Sequence, residues 1–361
     1  MMYLFLLVPL LGNAYVLWHI YRILPLPGWL SATICTLLFC TFLCLIAFYA
    51  IDAAERLPMQ HATALYEVGT SALIVLLYLA MVFLVLDAGR LLRIVPASFL
   101  QDSWRGTLFV ALLIGGIFLY GNLHYRNKHR QALALTTGKE LKRPLRIVLM
   151  SDLHLGFHNR RAELARWVDM VNAERPDAIL IAGDIIDVSV RPLLEEGSAE
   201  EFRRLTAPVY ACLGNHEYYA TEPRAEQFYA DAGIRLLRDE FVYLGSNLCI
   251  VGRDDRTNLR RKPLDRIMRE VNRERYIILL DHQPYNLEQA ENCDVDFQFS
   301  GHTHHGQVWP ISWITDRLYE CAFGMHQRGS TRYYVTSGIG IWGGKFRIGT
   351  RSEYVVATIG A

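Results

Sequence analysis

The segment Ser300-Gly301-His302-Thr303-His304-His305-Gly306 sets three imidazoles in four residues between glycines. Imidazole is the commonest metal-binding side chain and binds in its neutral form. In an extended turn alternate residues point the same way, so His302 and His304 face one site while Thr303 points away. Four other polar blocks each follow a short apolar run directly. Ser151-Asp152-Leu153-His154 follows 147–150, and Gly183-Asp184 follows 179–182. Gly214-Asn215-His216-Glu217 follows 209–213, and Asp281-His282 follows 277–280. Asp and Asn are ordinary turn residues, but five such blocks in order exceed what turn chemistry requires. Carboxylate, imidazole and amide oxygen together suit Mn, Fe, Zn or Co better than Mg or Ca, which take nearly all oxygen. Two such ions need a shared ligand, which a carboxylate supplies. A pair of this kind activates a water and clamps phosphate oxygens.

The apolar runs are the elements that must position these groups. Residues 146–150, 178–182, 209–213, 276–280, 297–299, 333–336 and 354–358 read as short strands, and 161–173, 200–205, 224–232 and 264–271 as helices. Within 161–173, Leu164, Trp167, Val168 and Val171 fall on one helical face. Residues 241–244 and 248–251 flank Gly245-Ser246-Asn247 and read as a hairpin. Strands alternating with helices predict an α/β domain whose sheets are covered by helices. Ligands of such sheets bind at the carboxyl ends of the strands, where the polar blocks lie.

Before residue 124 the chain is dominated by four apolar stretches, about 2–24, 28–51, 68–88 and 106–123. About 20 apolar residues span a bilayer as a helix, the only single segment that satisfies its own backbone in lipid. Four transmembrane helices are therefore expected. Pro9, Gly12 and Asn13 mark the first for a kink, and the lack of Lys or Arg before Arg22 argues against a cleaved signal peptide. Asp87 ends the third stretch, where it is placed to pair with Arg90. Trp18, Tyr21, Trp29, Tyr49, Trp104, Tyr120 and Tyr125 sit near the ends, as interfacial aromatics do. One side of the membrane receives Arg56, Arg126, Lys128, Arg130, Lys139, Lys142, Arg143 and Arg146, and the other Arg22, Arg90, Arg93 and Arg105. Eight basic residues against four place the second half of the chain in the cytoplasm, on a multi-pass protein of the inner (plasma) membrane. The expected layout is a transmembrane region over 1–124, a basic linker over 125–143 that lies against anionic headgroups, and an α/β domain over 144–361.

The net charge of +1 supplies no basic field for nucleic acid, so none is expected as a partner. None of the seven Cys forms a C-x-x-C pair, so neither a zinc ribbon nor a disulfide framework is signalled.

Asp152-x-His154, Gly183-Asp184, Gly214-Asn215-His216-Glu217, His282 and Gly301-His302-x-His304 resemble, in order, the five blocks of the calcineurin-like metallophosphoesterases. The resemblance covers about 144–360. It implies two facing β-sheets flanked by helices, rather than one doubly wound sheet. It implies that Asp152, His154 and His304 hold a first metal, that Asn215, His282 and His302 hold a second, and that Asp184 bridges them. It gives His216 the part of a histidine that contacts the scissile phosphate and protonates the leaving group. Asp281 either orients the His282 ring or belongs to the turn. One departure is His305, where many relatives have glycine; it fills space or contacts substrate. His158, Arg253, Asp254 and Asp255 are near enough in sequence to reach the site. Gly338, Gly340, Gly343 and Gly344 read as a flexible loop, with close approach of backbone to phosphate as a weaker alternative.

With four spans in front, the chain resembles the membrane-anchored branch, transmembrane proteins with a metallophosphoesterase domain. That branch is similar to bacterial phosphodiesterases and to one class of UDP-2,3-diacylglucosamine pyrophosphatase. The expected activity is hydrolysis of a phosphodiester or pyrophosphate with two divalent ions, manganese favoured. A membrane anchor makes sense if the substrate is lipid-linked, with UDP-2,3-diacylglucosamine the sharpest candidate. The alternatives are a broad phosphodiesterase acting on soluble substrates and an inactive membrane sensor or scaffold.

Overall fold

Alternation with a period of two governs β2 (Leu145–Met150): Ile147 and Leu149 enter one apolar cluster, Val148 and Met150 another. A strand buried on both faces needs cover on both. The computed structural model, which describes every residue except Met1, Thr221, Ser246 and Ala361, shows how that cover is built. Two six-stranded sheets form among the described residues. The first runs β1 (His129–Thr136), β12 (Glu353–Gly360), β2, β3 (Ala178–Ala182), β4 (Val209–Cys212), β5 (Ile234–Leu236). The second runs β10 (Gly324–Arg328), β11 (Thr331–Val335), β9 (Phe297–Ser300), β8 (Tyr276–Leu280), β7 (Leu248–Gly252), β6 (Glu240–Leu244). In both, the strands that carry the polar blocks run parallel to one another, β2–β3–β4 in one and β8–β9 in the other.

The two sheets share one core, with Leu149 and Leu180 from the first meeting Ile278 and Phe299 from the second. Helix Arg161–Ala173 covers the outer face of the first sheet with Leu164, Trp167, Val168 and Val171. Helix Leu264–Met268 covers the outer face of the second with Leu264, Ile267 and Met268. The result is the helix–sheet–sheet–helix layering that the resemblance implied.

Several elements of this unit were not expected, among them β5 and the short helices Arg191–Glu196 and Glu288–Glu291. Residues 125–143, expected as a basic linker, contain β1, paired in parallel with β12 from His129↔Glu353 to Thr136↔Gly360. Its inward residue Leu135 is buried, and the lysines and arginines around it hide the strand from a charge-based reading. β10 and the helix Ile311–Leu318 were not expected at all. The hairpin β6–β7 pairs antiparallel around 245–247, of which Ser246 lies outside the described residues.

Contacts divide the chain into Met1–Leu123 with Gly343–Lys345, and His124–Trp342 with Phe346–Ala361. In the first unit the apolar stretches form helices α1 (Met2–Ile23), α2 (Gly28–Ala50) and α3 (Met59–Leu91), and most of α4 (Trp104–Arg126). Four spans were expected, but among the described residues three helices, α2, α3 and α4, are long and apolar enough to cross a membrane. The first stretch is helical, but its opening residues fall outside those whose side chains are described. Trp29, Leu37, Val85 and Leu112 stand exposed on the helices, as lipid-facing residues do. Asp87 accepts hydrogen bonds from Tyr15 Oη at 2.8 Å and from His19 Nε2 at 2.9 Å. These bonds tie α3 to α1, where a pairing with Arg90 was expected.

Candidate metal centre

The first group of donors spans both sheets. Asp152 and His154 follow β2, and His304 follows β9. His304 Nε2 lies 3.3 Å from Asp152 Oδ1 and 3.0 Å from His154 Nε2. The second group gathers His282 after β8, His302 after β9 and Asn215 after β4. Asn215 Oδ1 is 2.8 Å from His302 Nδ1 and 3.2 Å from His282 Nε2. Asp184, after β3, joins the two: its Oδ2 is 3.7 Å from His154 Nε2 and 3.1 Å from His282 Nε2. The seven residues expected as ligands thus converge, and the one expected to bridge stands between the two groups.

The donor chemistry fits a pair of cations. Asp152, His154, Asp184 and His282 are buried, as carboxylates and imidazole nitrogens seldom are unless they pair or coordinate a metal. Several are held on costly backbone. Asp152, His154, Asp184, His302 and His304 all have left-handed φ, between 45° and 68°. Each such residue costs of order 1 kcal/mol and persists at a functional site because its surroundings fix it.

The surroundings are specific. Glu217, fully buried, accepts the backbone N–H groups of Asp184 at 3.1 Å, Ile185 at 2.7 Å, Ile186 at 3.0 Å and Gly214 at 2.7 Å, and the hydroxyl of Tyr229. One side chain therefore holds the Asp184 turn against the Asn215 turn. Arg347, also fully buried, donates to the carbonyls of His304 at 2.7 Å and Gly340 at 3.1 Å. His282 Nδ1 donates to the Ala182 carbonyl at 2.7 Å, which leaves Nε2 for the site. The backbone, not Asp281, orients that ring: Asp281 pairs instead with Arg253 at 2.9 Å and Arg261 at 3.2 Å.

Electrostatics divide the imidazoles into two kinds. His302 is pushed down to about 4 by burial and the nearby His282 charge, and His304 down to about 3, chiefly by burial. Burial opposes charge on His154 and His282 too, but carboxylates prevail there. The nearby carboxylates of Asp152, Asp187 and Asp184 hold His154 up to about 10, and Asp184 holds His282 well above the usual range. Asp152 and Asp184 stay below the usual carboxylate range despite burial, because the surrounding imidazoles favour their charge. Of the facing pair His154–His304, His154 is therefore the ring whose charged form is favoured.

His216 lies outside the seven expected ligands, although its ring forms a further donor group with His154 and Asp184. Its Nδ1 is 3.1 Å from Asp187 Oδ1 and 3.2 Å from the Asp187 carbonyl. Asp187 Oδ1 is also 3.4 Å from His154 Nδ1, so one buried carboxylate steadies both rings. Asp187 and Glu217 were not picked out from the sequence. The available signals were a second acid three residues after Asp184 and an acid closing the Gly214–Glu217 block. His158 and His305 belong to none of the donor groups found among the described residues. His305 stacks on Phe323 at 4.6 Å and faces Asp316 at 3.6 Å. Asp254 is tied to Tyr218, Arg238 and Asn258, and Asp255 to Gln283. Gly340 is required by packing: a Cβ there would lie 2.1 Å from the Leu153 carbonyl.

An aromatic wall leads away from the second group. Tyr319 lies edge-on to His302 at 6.3 Å, its hydroxyl is 3.0 Å from that of Tyr285, and Arg256 sits over the Tyr285 ring at 4.2 Å. Nη1 of Arg256 is buried with no hydrogen-bond partner among the described residues.

Residues 145–306 match the family described as calcineurin-like phosphoesterase. An uncharacterized metallophosphoesterase of Aquifex aeolicus is 31% identical over 264 residues, 70% of this chain and 98% of that protein. A transmembrane protein with metallophosphoesterase domain from Danio rerio is 29% identical over 305 residues, 78% of this chain and 69% of its own. An uncharacterized metallophosphoesterase of Campylobacter jejuni is 32% identical over 225 residues, 61% of this chain; the match spans only 60% of that relative's length. A solved dimetal phosphatase from Danio rerio aligns with 14% identity and a TM-score of 0.34, over 53% of this chain and 86% of its own.

Proposed function

Because the chain belongs to the calcineurin-like phosphoesterase family, we propose that it is a phosphoester hydrolase that uses two divalent ions to cleave a phosphodiester or pyrophosphate in a membrane-borne substrate. The observation that carries this reading is two donor groups with Asp184 between them, in a chain with three helices able to cross a membrane. Asp152, His154 and His304 hold one ion, Asn215, His282 and His302 the other, and Asp184 both. Bound there, the ions supply a water that ionises near neutral pH and neutralise charge on the phosphoryl oxygens, with manganese the favoured metal. His216, its Nδ1 held by Asp187, presents Nε2 to protonate the leaving oxygen. Glu217 and Arg347 keep the ligand turns fixed, so the site is formed before substrate arrives.

The catalytic unit faces the cytoplasm in this proposal. With three spans, the loop holding Arg56 and the chain after α4 still share one side, so the count of eight basic residues against four is unchanged. Among lipid-linked substrates, UDP-2,3-diacylglucosamine is the first to try. The test is hydrolysis of bis-p-nitrophenyl phosphate, and then of that nucleotide-linked lipid, by the full chain in detergent with and without added Mn²⁺. Metal-dependent release of product supports the proposal. A metal-loaded protein that cleaves neither substrate contradicts it.

A further inference from the structure

Helix Ile311–Leu318 begins five residues after Gly306, directly beyond the loop that carries His302 and His304. Its polarity is inverted. Surface helices normally turn their apolar side to the core. Here Ser312 is buried and Asp316 reaches back to His305. The opposite arc holds Trp313, Ile314 and Leu318, which are 64%, 57% and 67% exposed in the full chain, with the exposed Arg317 among them. Trp309, just before the helix, adds a second indole, edge-to-face with Trp313 at 5.3 Å. The segment follows the site loop directly, and beyond it Thr303 Oγ1 of that loop donates to the Ala322 carbonyl at 2.6 Å.

An exposed apolar arc of this kind marks an interaction surface. The same chain carries three helices able to cross a membrane, so a bilayer is always within tether length. The residue types match that neighbour. Indoles favour the headgroup level, aliphatic side chains the acyl boundary, and an arginine the lipid phosphates. Five side chains are too few for a second copy, since stable interfaces take about 20–30 residues a side.

We propose that the helix Ile311–Leu318 lies in the headgroup layer of the bilayer. Trp313, Ile314 and Leu318 enter the acyl boundary and Arg317 meets lipid phosphates. The helix thereby sets the His302–His304 loop at the depth of a lipid-linked phosphoester. This last step rests on the membrane-borne substrate proposed above; the seating of the helix does not.

The test uses the full chain reconstituted in vesicles of phosphatidylethanolamine and phosphatidylglycerol. The emission lost on Trp313→Phe isolates one indole. Brominated acyl chains are expected to quench that difference emission at least twofold, and aqueous iodide to leave it nearly unchanged. Quenching by iodide alone would place the helix in water and overturn the seating. Shielding from both quenchers would mean a protein cover, from this chain or a second copy, and would overturn it equally. In a second arm, Ile314→Asp with Leu318→Asp is expected to cut hydrolysis of a diacylglycerol p-nitrophenyl phosphodiester in vesicles at least tenfold. Hydrolysis of soluble bis-p-nitrophenyl phosphate should stay unchanged. An equal loss on both substrates would contradict a membrane role. Bromine quenching with no cleavage of the vesicle substrate by the wild-type protein would leave the seating in place and remove the membrane-borne substrate instead.

Discussion

His154 and His304, 150 residues apart in the chain, face each other through their Nε2 atoms at 3.0 Å, with Asp152 Oδ1 3.3 Å from the latter. Two ring nitrogens at that distance share either a proton or a cation. The surrounding carboxylates favour the protonated form of His154, raised to about 10, and of His282, held well above its usual range. Both rings must lose that proton to bind metal. Metal binding is therefore expected to release protons at pH 7, and metal affinity to fall as pH falls, by on the order of tenfold per unit for each proton displaced. Calorimetric titration of Mn²⁺ in two buffers of different ionisation enthalpy measures the number released. Binding without proton release would contradict the assignment of these rings as ligands.

Glu217 concentrates the cost of building the site. Glu217→Ala leaves the N–H groups of Asp184, Ile185, Ile186 and Gly214 without their acceptor in a buried position. Unsatisfied buried donors cost about 1–3 kcal/mol each, less where water enters. The expected loss is about 3 kcal/mol or more, read as a lower unfolding midpoint of the detergent-purified chain, together with loss of bound metal. An unchanged midpoint would show that the turn is held by other means.

Asp187 acts on the reaction through His216. Burial opposes a proton on His216, but Asp184 and Asp187 raise its affinity for one. Asp187→Asn removes part of that support, so the His216 pKa should fall. If His216 is the acid, activity is lost where it deprotonates, and the alkaline limb of the kcat profile should move to lower pH. A drop in kcat of about 10- to 100-fold is expected alongside. A purely structural role would lower activity without moving the limb.

Arg256 offers a cation at the end of the wall formed by Tyr319 and Tyr285. Arg256→Ala is expected to raise KM for a pyrophosphate or diester by about tenfold, the scale of one charge-assisted hydrogen bond, with kcat changed less. Steady-state kinetics separate the two. An unchanged KM would place the guanidinium outside the substrate's reach.

The strands that carry the ligands were legible because each is a short apolar run ended by a polar block; β2, β3, β4, β8 and β9 all fall where such runs lie. β1 was not, because its one well-buried leucine, Leu135, sits within a basic stretch that charge alone assigns to a linker. The helix Ile311–Leu318 was hidden by its inverted pattern, since an outward apolar arc mimics no core-facing helix. The ligand types stood out as His, Asp and Asn at strand ends. Their supports did not. Glu217 works through four backbone contacts and Asp187 through two distant rings, and such contacts leave no periodicity. The first apolar stretch reads as a span by composition, whereas three helices meet the requirement among the described residues.

The central claim is that one carboxylate, Asp184, serves both ions. The most direct measurement is the metal content of purified full-length protein and of Asp184→Ala, taken with the Mn²⁺-dependent rate on bis-p-nitrophenyl phosphate. The expected result is two equivalents and turnover in the wild type. In Asp184→Ala at least one equivalent should be lost and the rate should fall by about 10³-fold or more, with the unfolding midpoint still measurable. A folded Asp184→Ala protein that keeps two equivalents and turns over at the wild-type rate would contradict the two-ion site.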